Sequence, residues 1–152
     1  MCTSFMGELL TATHNFGTAP IRAASTADTF KGALYLASAT IDASTTAYTV
    51  SGEVSGAGYS AGGVTVTNAN PPTATNASST AGVAYWTPSA SLTYTSVTLT
   101  TAFDAVLIYN STQSDKAVSV HTFGSQTITA GTFTLTMPAS TTTTALLRLA
   151  TT

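Results

Sequence analysis

The sequence predicts an all-β fold: a single antiparallel β-sandwich or barrel-like domain of about eight strands, with a short N-terminal helix or arm. The first observation is composition, since 34 Thr, 17 Ser and 25 Ala make up half of the 152 residues. The second is that hydrophobic residues reach 43% while charged residues are only 7%, a balance unlike that of disordered chains. The third is a period-two alternation of apolar and polar residues from residue 29 onward, which is typical of strands.

The N-terminal segment carries a different pattern. Residues 4–16 predict a short helix, because apolar side chains recur there at intervals of four, three and four residues. A helix this short and rich in Thr is stable only when its apolar stripe is packed. Residues 17–28 have no such pattern and predict a linker. We therefore divide the chain into an arm and linker over 1–28 and a β domain over 29–152.

The arm stripe has two possible docking places. It could anchor the protein to a neighbouring subunit or to a larger shell, or it could cap an open end of its own β domain. Both alternatives stay open from sequence alone. The candidate interaction residues are Phe5, Leu9, Leu10 and Phe16.

Period-two runs and turn residues predict eight to nine strands spaced about ten residues apart. Two adjustments follow from the pattern. Leu92 and Tyr94 alternate out of phase with Val97 and Leu99, which predicts a β-bulge near Thr95–Ser96. Gly124–Ser125 is interpreted as a turn. The predicted strands are 29–37, 64–69, 83–86, 92–100, 103–110, 117–123, 126–130, 132–137 and 145–150, with 46–50 as a short strand or an extended connector.

The strongest alternating runs also predict the core. Residues 103–110 are apolar on both faces, so this strand is expected at the centre of a sheet, covered on both sides. The predicted core residues are Phe30, Leu34, Leu36, Leu107, Phe133 and Leu135.

A glycine-rich loop interrupts the pattern at residues 54–63. Four glycines in ten residues indicate positions that need a positive φ or a close approach of the backbone. Without a following lysine in a strand–helix context, the loop does not match a phosphate cradle. The candidate loop residues are Gly56, Gly58, Tyr59, Gly62 and Gly63.

Residues capable of chemistry are few and scattered. No metal-ligand spacing and no nucleophile motif is present, so we expect no catalytic residue, no metal and no cofactor, and the protein is not expected to be an enzyme. Glu53 is interpreted as a solvated residue at a strand end, His121 as a structural histidine, and Cys2 as a spectator thiol on the arm.

Composition also excludes several classes of partner. The chain has only four Lys and Arg residues in total, which excludes a phosphate-binding surface for nucleic acid. No apolar run approaches the length of a transmembrane helix, so no membrane partner is expected. The N-terminus carries no positive charge and no long apolar stretch, and so lacks the pattern of a secretory signal.

Four segments resemble, in the same order, a family of small structural proteins of tailed double-stranded DNA bacteriophages and prophages. Together they cover more than half of the chain. The glycine loop and the LIYN, FGS and GTFTLT series are the most specific, while the region 68–100 departs from the family pattern. The four segments are 1–16, 29–48, 52–63 and 103–138.

The resemblance implies a place in a phage virion, after synthesis in the host cytoplasm. We expect a capsid cement or decoration protein that binds the outer shell and bridges capsomers. Its expected partners are the major capsid protein and copies of itself, as a homotrimer or another cyclic oligomer. The alternative is a tail, fibre or adaptor component that binds a host receptor or glycan through the glycine loop and the aromatic residues Tyr59, Tyr85 and Trp86.

Overall fold

The computed structural model describes residues 2, 5, 9, 13, 14, 16, 27–67, 72–75 and 82–150. Most of the predicted N-terminal helix and of the predicted linker lies outside these residues, as does Leu10. The β domain is covered almost completely.

The described residues form seven strands in two antiparallel sheets, so the all-β prediction is confirmed. A four-stranded sheet has the order β2-β1-β5-β6, and a three-stranded sheet has the order β3-β4-β7. Residues 46–50 are a connector with one isolated bridge, from Ala47 to Lys116. The strands are β1 Phe30–Leu36, β2 Val64–Thr65, β3 Thr73–Ala74, β4 Val83–Trp86, β5 Leu92–Asn110, β6 Lys116–Leu135 and β7 Leu147–Ala150.

One long hairpin dominates the fold. β5 has 19 residues and β6 has 20, and they pair antiparallel from end to end. The predicted turn at Gly124–Ser125 is therefore wrong, because Gly124 lies within β6. The separate strands predicted on either side of each break are continuous. The turn that does reverse the chain is 111–115, where Ser114 and Asp115 have positive φ angles of 54° and 58°.

Register shifts explain why the sequence suggested breaks in this hairpin. The β5–β6 pairing shifts five times along its length, including once between Tyr94 and Val97. Ser96 lies in that interval with a φ of 54°. The bulge puts Leu92, Tyr94, Val97 and Leu99 in the core at 1–2% exposure, which confirms the predicted bulge.

The two halves of the long strand β5 pack on a shared core. The second half of β5, residues 103–110, lies between β1 and β6 and is almost wholly buried, as expected for a central strand. The first half lies against β1, because the Tyr94 hydroxyl donates a hydrogen bond of 2.8 Å to the Gly32 carbonyl. A Cβ atom at Gly32 would lie 2.6 Å from the Leu92 side chain, so glycine permits this approach.

The predicted core residues all belong to this core, to different degrees. Phe30, Leu34 and Leu107 are at most 1% exposed. The other three are partly buried and pack against the same cluster. Two of them lie on β6, an edge strand of its sheet, where fewer neighbours cover the side chains. These three are Leu36, Phe133 and Leu135.

Candidate interaction surfaces

The described rings of the N-terminal arm pack into this chain's own core. Phe5 is 2% exposed and Phe16 is 7% exposed. The Phe16 ring stacks on Phe30 with centroids 4.5 Å apart and lies 4.8 Å from the Trp86 ring. Leu9 is partly buried against the same cluster. The structure therefore uses the two phenylalanines as a cap on their own domain, the second of the two alternatives, and not as an exposed anchor.

A buried polar cluster ties the arm to the tip of the hairpin. Asn110 is fully buried, and its amide nitrogen donates to Asp28 Oδ2 at 2.8 Å and lies 3.0 Å from His14 Nδ1. The Asn110 amide oxygen accepts from the backbone N–H groups of Thr112 and Gln113. Those two bonds fix the orientation of the amide, so its nitrogen must face His14 and Asp28. The cluster thus links the arm, the start of β1 and the turn after β5.

Cys2 carries a thiol that is not part of a disulfide, and the structure places it inside the core. It is 0% exposed, and its backbone N–H donates to the Val118 carbonyl on β6 at 3.0 Å. A thiol behaves as a small apolar group that fills space in a core, and burial in such surroundings fits the unreactive role expected for Cys2. The start of the arm therefore covers part of the β6 edge.

The glycine loop is packed on the body of the protein. Gly58, Gly62 and Gly63 have φ angles of 77°, 88° and 71°, which confirms that the loop needs positive φ. A Cβ atom at Gly63 would lie 1.8 Å from the Gly32 carbonyl oxygen, and one at Gly56 would lie 2.0 Å from the Thr98 carbonyl oxygen. These glycines therefore serve close backbone packing against β1 and β5.

The buried side chain of Glu53 binds this loop to the body of the protein. The prediction that Glu53 is solvated is therefore wrong. The residue is only 7% exposed. Its Oε1 accepts from the Tyr59 hydroxyl at 2.7 Å and the Gly62 backbone N–H at 2.8 Å, and its Oε2 accepts from the Tyr48 hydroxyl at 2.7 Å. The Tyr59 hydroxyl in turn accepts from the Leu34 backbone N–H. A buried carboxylate with three donors is a structural clasp for residues 48–62.

The tyrosines around the clasp are held in their protonated form. Burial, followed by the hydrogen bond to Glu53, raises the pKa of both Tyr48 and Tyr59 well above its ordinary value. Burial also raises the pKa of Tyr109 to about 12. These hydroxyls therefore act as hydrogen-bond donors, to Glu53 from Tyr48 and Tyr59 and to the Gly62 carbonyl from Tyr109.

Two of the three aromatic residues suggested for glycan binding are occupied. Trp86 is 3% exposed and packs on Phe16 and Phe30. Tyr59 is tied to Glu53 through its hydroxyl. Only Tyr85 stays partly accessible without such a bond among the described contacts. Trp86 is therefore not an accessible aromatic side chain, and the hydroxyl of Tyr59 is already engaged within the protein.

His121 fits the structural role expected for it. Its Nε2 lies 2.9 Å from the Ser119 hydroxyl on the same strand. The ring lines an apolar cavity with Val106, Ile108 and Leu135. Burial lowers the pKa of His121 to about 4, so the ring is neutral at physiological pH.

No three His, Cys, Asp or Glu side chains in the described ranges come together to hold a metal ion. Within the same ranges, no helix has the length and apolar character needed to cross a membrane.

The feature that residue-by-residue analysis missed is a charge-free surface. Neither strand of the hairpin carries Lys, Arg, Asp or Glu over residues 92–103 and 117–135. We call the part of the hairpin made by residues 92–100 and 127–135 the outer hairpin; its outward side chains are mostly threonines. Thr93 and Thr134 are direct cross-strand neighbours, and both are exposed. A count of charges along each strand could have found it, but only the pairing shows that the two stretches adjoin.

Comparisons with family models, with curated proteins and with solved structures found no match to this chain.

Proposed function

We propose that this chain is a structural protein of a phage virion, a cement or decoration protein that binds the outer capsid shell and bridges capsomers. Its two sheets would form a sandwich-like body, and the major capsid protein and copies of itself would be its partners. The particle would be assembled in the host cytoplasm and would carry the protein in the virion.

The observation that carries the proposal is the charge-free outer hairpin. Charged residues make up about 25% of a typical soluble domain and 7% of this chain, whereas the outer hairpin holds none. A neutral surface of β-branched residues can make many weak contacts that symmetry repeats over a shell. Such contacts do not depend on long-range attraction between charges, so salt does not screen them.

The buried clasps support the same function. A shell protein must stay rigid under load, and the structure ties its loops inward at Glu53 and at Asn110. The alternative function, a tail, fibre or adaptor component that binds a receptor or glycan, has weaker support. It requires accessible aromatic side chains, and the structure buries Trp86.

Binding to capsids tests the proposal directly. Purified protein is mixed with capsids that lack it, at low and at high salt, and bound protein is counted after sedimentation. We expect saturable binding, in simple ratio to the capsomers, that changes little with salt. Binding of a few copies per particle, or none to the shell together with binding to a glycan array, would favour the alternative function.

A variant of the outer hairpin makes this test specific. Thr93→Asp with Thr95→Asp adds two charges to its exposed face, while Thr73→Asp adds a charge to the exposed strand of the other sheet. The first variant should lose shell binding and the second should retain it. Equal binding by both would show that the outer hairpin does not contact the shell.

A further inference from the structure

We propose that residues 131–135 at the end of β6 form an edge-to-edge contact with the same segment of a second copy of this chain. The two segments would run antiparallel about a two-fold axis and join two sheets into one. This inference deepens the proposed self-association by naming its surface. It is tested in solution without capsids, so it can fail while shell binding succeeds.

The first step is that β6 is an edge strand of 20 residues, and the side of it that faces away from β5 is not paired with another strand of the sheet. Edge strands present unpaired backbone N–H and C=O groups that invite pairing with another chain. In the described part of the chain, β5 is the only strand that pairs with β6, and Ala47 of the connector adds one isolated bridge to Lys116 at its start. Folded proteins usually blunt such an edge with charges, prolines, bulges or a covering segment.

The second step is that most of the β6 edge is protected from pairing with another chain. At its start, Ala117 donates to the Thr46 carbonyl and Val118 accepts from Cys2, so the connector and the arm cover it. In its middle, the register shifts repeatedly between Thr122 and Gly131, and Ala130 has a φ of 47°. Bulges of this kind bend a strand away from a flat partner.

The third step is that the last stretch has no charge, no proline and no covering segment among the described residues, and its one register shift, between Gly131 and Phe133, places the extra residue on β5 rather than on β6. Leu135, Thr134 and Phe133 pair in regular register with residues 92–94 of β5. Residues 117–137 contain no Lys, Arg, Asp, Glu or Pro. Thr132 and Thr134 are exposed, and none of the described residues outside β5 makes a backbone hydrogen bond to 131–135.

The other edge strands of the two sheets, unlike 131–135, are short or carry a charge or a neighbouring proline. β2 and β3 have only two residues each, and Pro72 precedes β3. β7 has four residues and exposes Arg148 at its centre. Within the described ranges, 131–135 is therefore the one edge segment of this length without a charge, a proline or a covering segment.

A second copy is the occupant that this edge fits best. A two-fold contact brings each segment beside itself, so any charge there would face a like charge, which destabilises a strand pair. Residues 117–147 carry no charge, and a copy therefore meets no repulsion. One such contact covers the exposed edge of both copies at once, and Thr side chains suit cross-strand pairing.

Light scattering on the purified full chain tests the inference. The wild type should have the mass of two chains. Thr132→Lys with Thr134→Lys should raise the dissociation constant by at least about tenfold, equivalent to ~1.4 kcal/mol, because like charges then meet across the axis. The matching Thr132→Glu, Thr134→Glu variant should behave in the same way. An equal mixture of the two should recover the two-chain mass, since opposite charges now face each other.

The control places the same charges one strand further in. Thr93→Lys with Thr95→Lys lies on β5, so its charges are separated from those of the partner by about three strand spacings, roughly 14 Å. That distance exceeds the Debye length of ~8 Å at physiological salt, and the two-chain mass should persist.

Four results would overturn the proposal: a wild type with the mass of one or three chains, edge variants that keep the two-chain mass, control variants that lose it, or a mixture that does not recover it. If the edge variants fail to fold, hydrogen exchange of the wild type decides. Amides within 131–135 should be protected more strongly as protein concentration rises. Protection that is independent of concentration would show that the chain's own residues cover the edge.

Discussion

At the scale of single residues, the glycines divide into those that backbone packing requires and those that it does not. Gly63 combines a φ of 71° with a backbone oxygen 1.8 Å from where a Cβ would lie, whereas Gly124 has no atom within 4 Å of that position. We expect Gly63→Ala to lower the free energy of unfolding by at least about 1–3 kcal/mol from strain alone. Gly124→Ala should change it by less than about 0.5 kcal/mol. Urea denaturation of both variants checks this, and similar values would contradict the packing argument.

The clasp residue Glu53 gives a second prediction. Glu53→Gln keeps the size of the side chain but replaces one acceptor oxygen with a donor that faces a hydroxyl or an N–H donor. We expect a loss of about 1.5–3 kcal/mol in the free energy of unfolding, the range for hydrogen bonds to charged groups. The control is Asp115→Asn at a turn position with a φ of 58°, where Asn is well tolerated. A loss of the same size in the control would mean that charge alone, and not the clasp, is responsible.

His121 should make the folded protein less stable as the pH falls. Its pKa is about 4 in the folded protein, below the ordinary value of 6.5. The unfolded chain therefore binds a proton at higher pH than the folded chain does. The stability contributed by the neutral ring is present above about pH 6.5 and is lost as the pH falls toward 4. Stability measured from pH 7 to 4 should decline less in His121→Gln than in the wild type, and equal slopes would exclude His121 as a cause.

At the scale of elements, the bulge in β5 has a testable backbone requirement. Ser96 is exposed and has a φ of 54°, a conformation that glycine adopts freely and that β-branched residues resist. Ser96→Val should lower the free energy of unfolding by about 1–3 kcal/mol, while Ser96→Gly should leave it unchanged or raise it. Thr95→Val next to it is the control, because it changes polarity without a strained φ. Equal tolerance of valine at both positions would place the bulge elsewhere.

The elements also show how far the sequence could predict this structure. Period-two patterns and turn residues located β1 and β4, an apolar run located residues 103–110 of β5, and a phase change located the bulge, because these signals are local. The sequence did not predict that β6 continues through Gly124. A Gly–Ser pair between two alternating runs resembles a turn when the pairing with β5 is not known. The burial of Glu53 and Cys2 was also missed. Both depend on segments far apart in the sequence, which no local pattern records.

At the scale of the whole molecule, the arm and the β domain share one core, and the arm should therefore contribute to global stability. Phe5 and Phe16 are buried against Phe30 and Trp86, which is the single tryptophan of the chain. Burying two such rings contributes about 1.5–3 kcal/mol each. Deletion of residues 1–17 should lower the melting temperature and shift the Trp86 fluorescence to longer wavelength, because the ring then meets water.

Single substitutions separate the effect of losing the packing of one ring from the effect of deleting the whole arm. Phe16→Ala should reproduce most of the fluorescence shift, at a cost of about 3–5 kcal/mol in the free energy of unfolding. Leu149→Ala, at a residue that is 44% exposed, should produce neither effect. If the truncated protein keeps the melting temperature and fluorescence of the full chain, the arm rings do not belong to its core. They would then be available to the shell, and the arm, rather than the outer hairpin, would be the first surface to test for capsid binding.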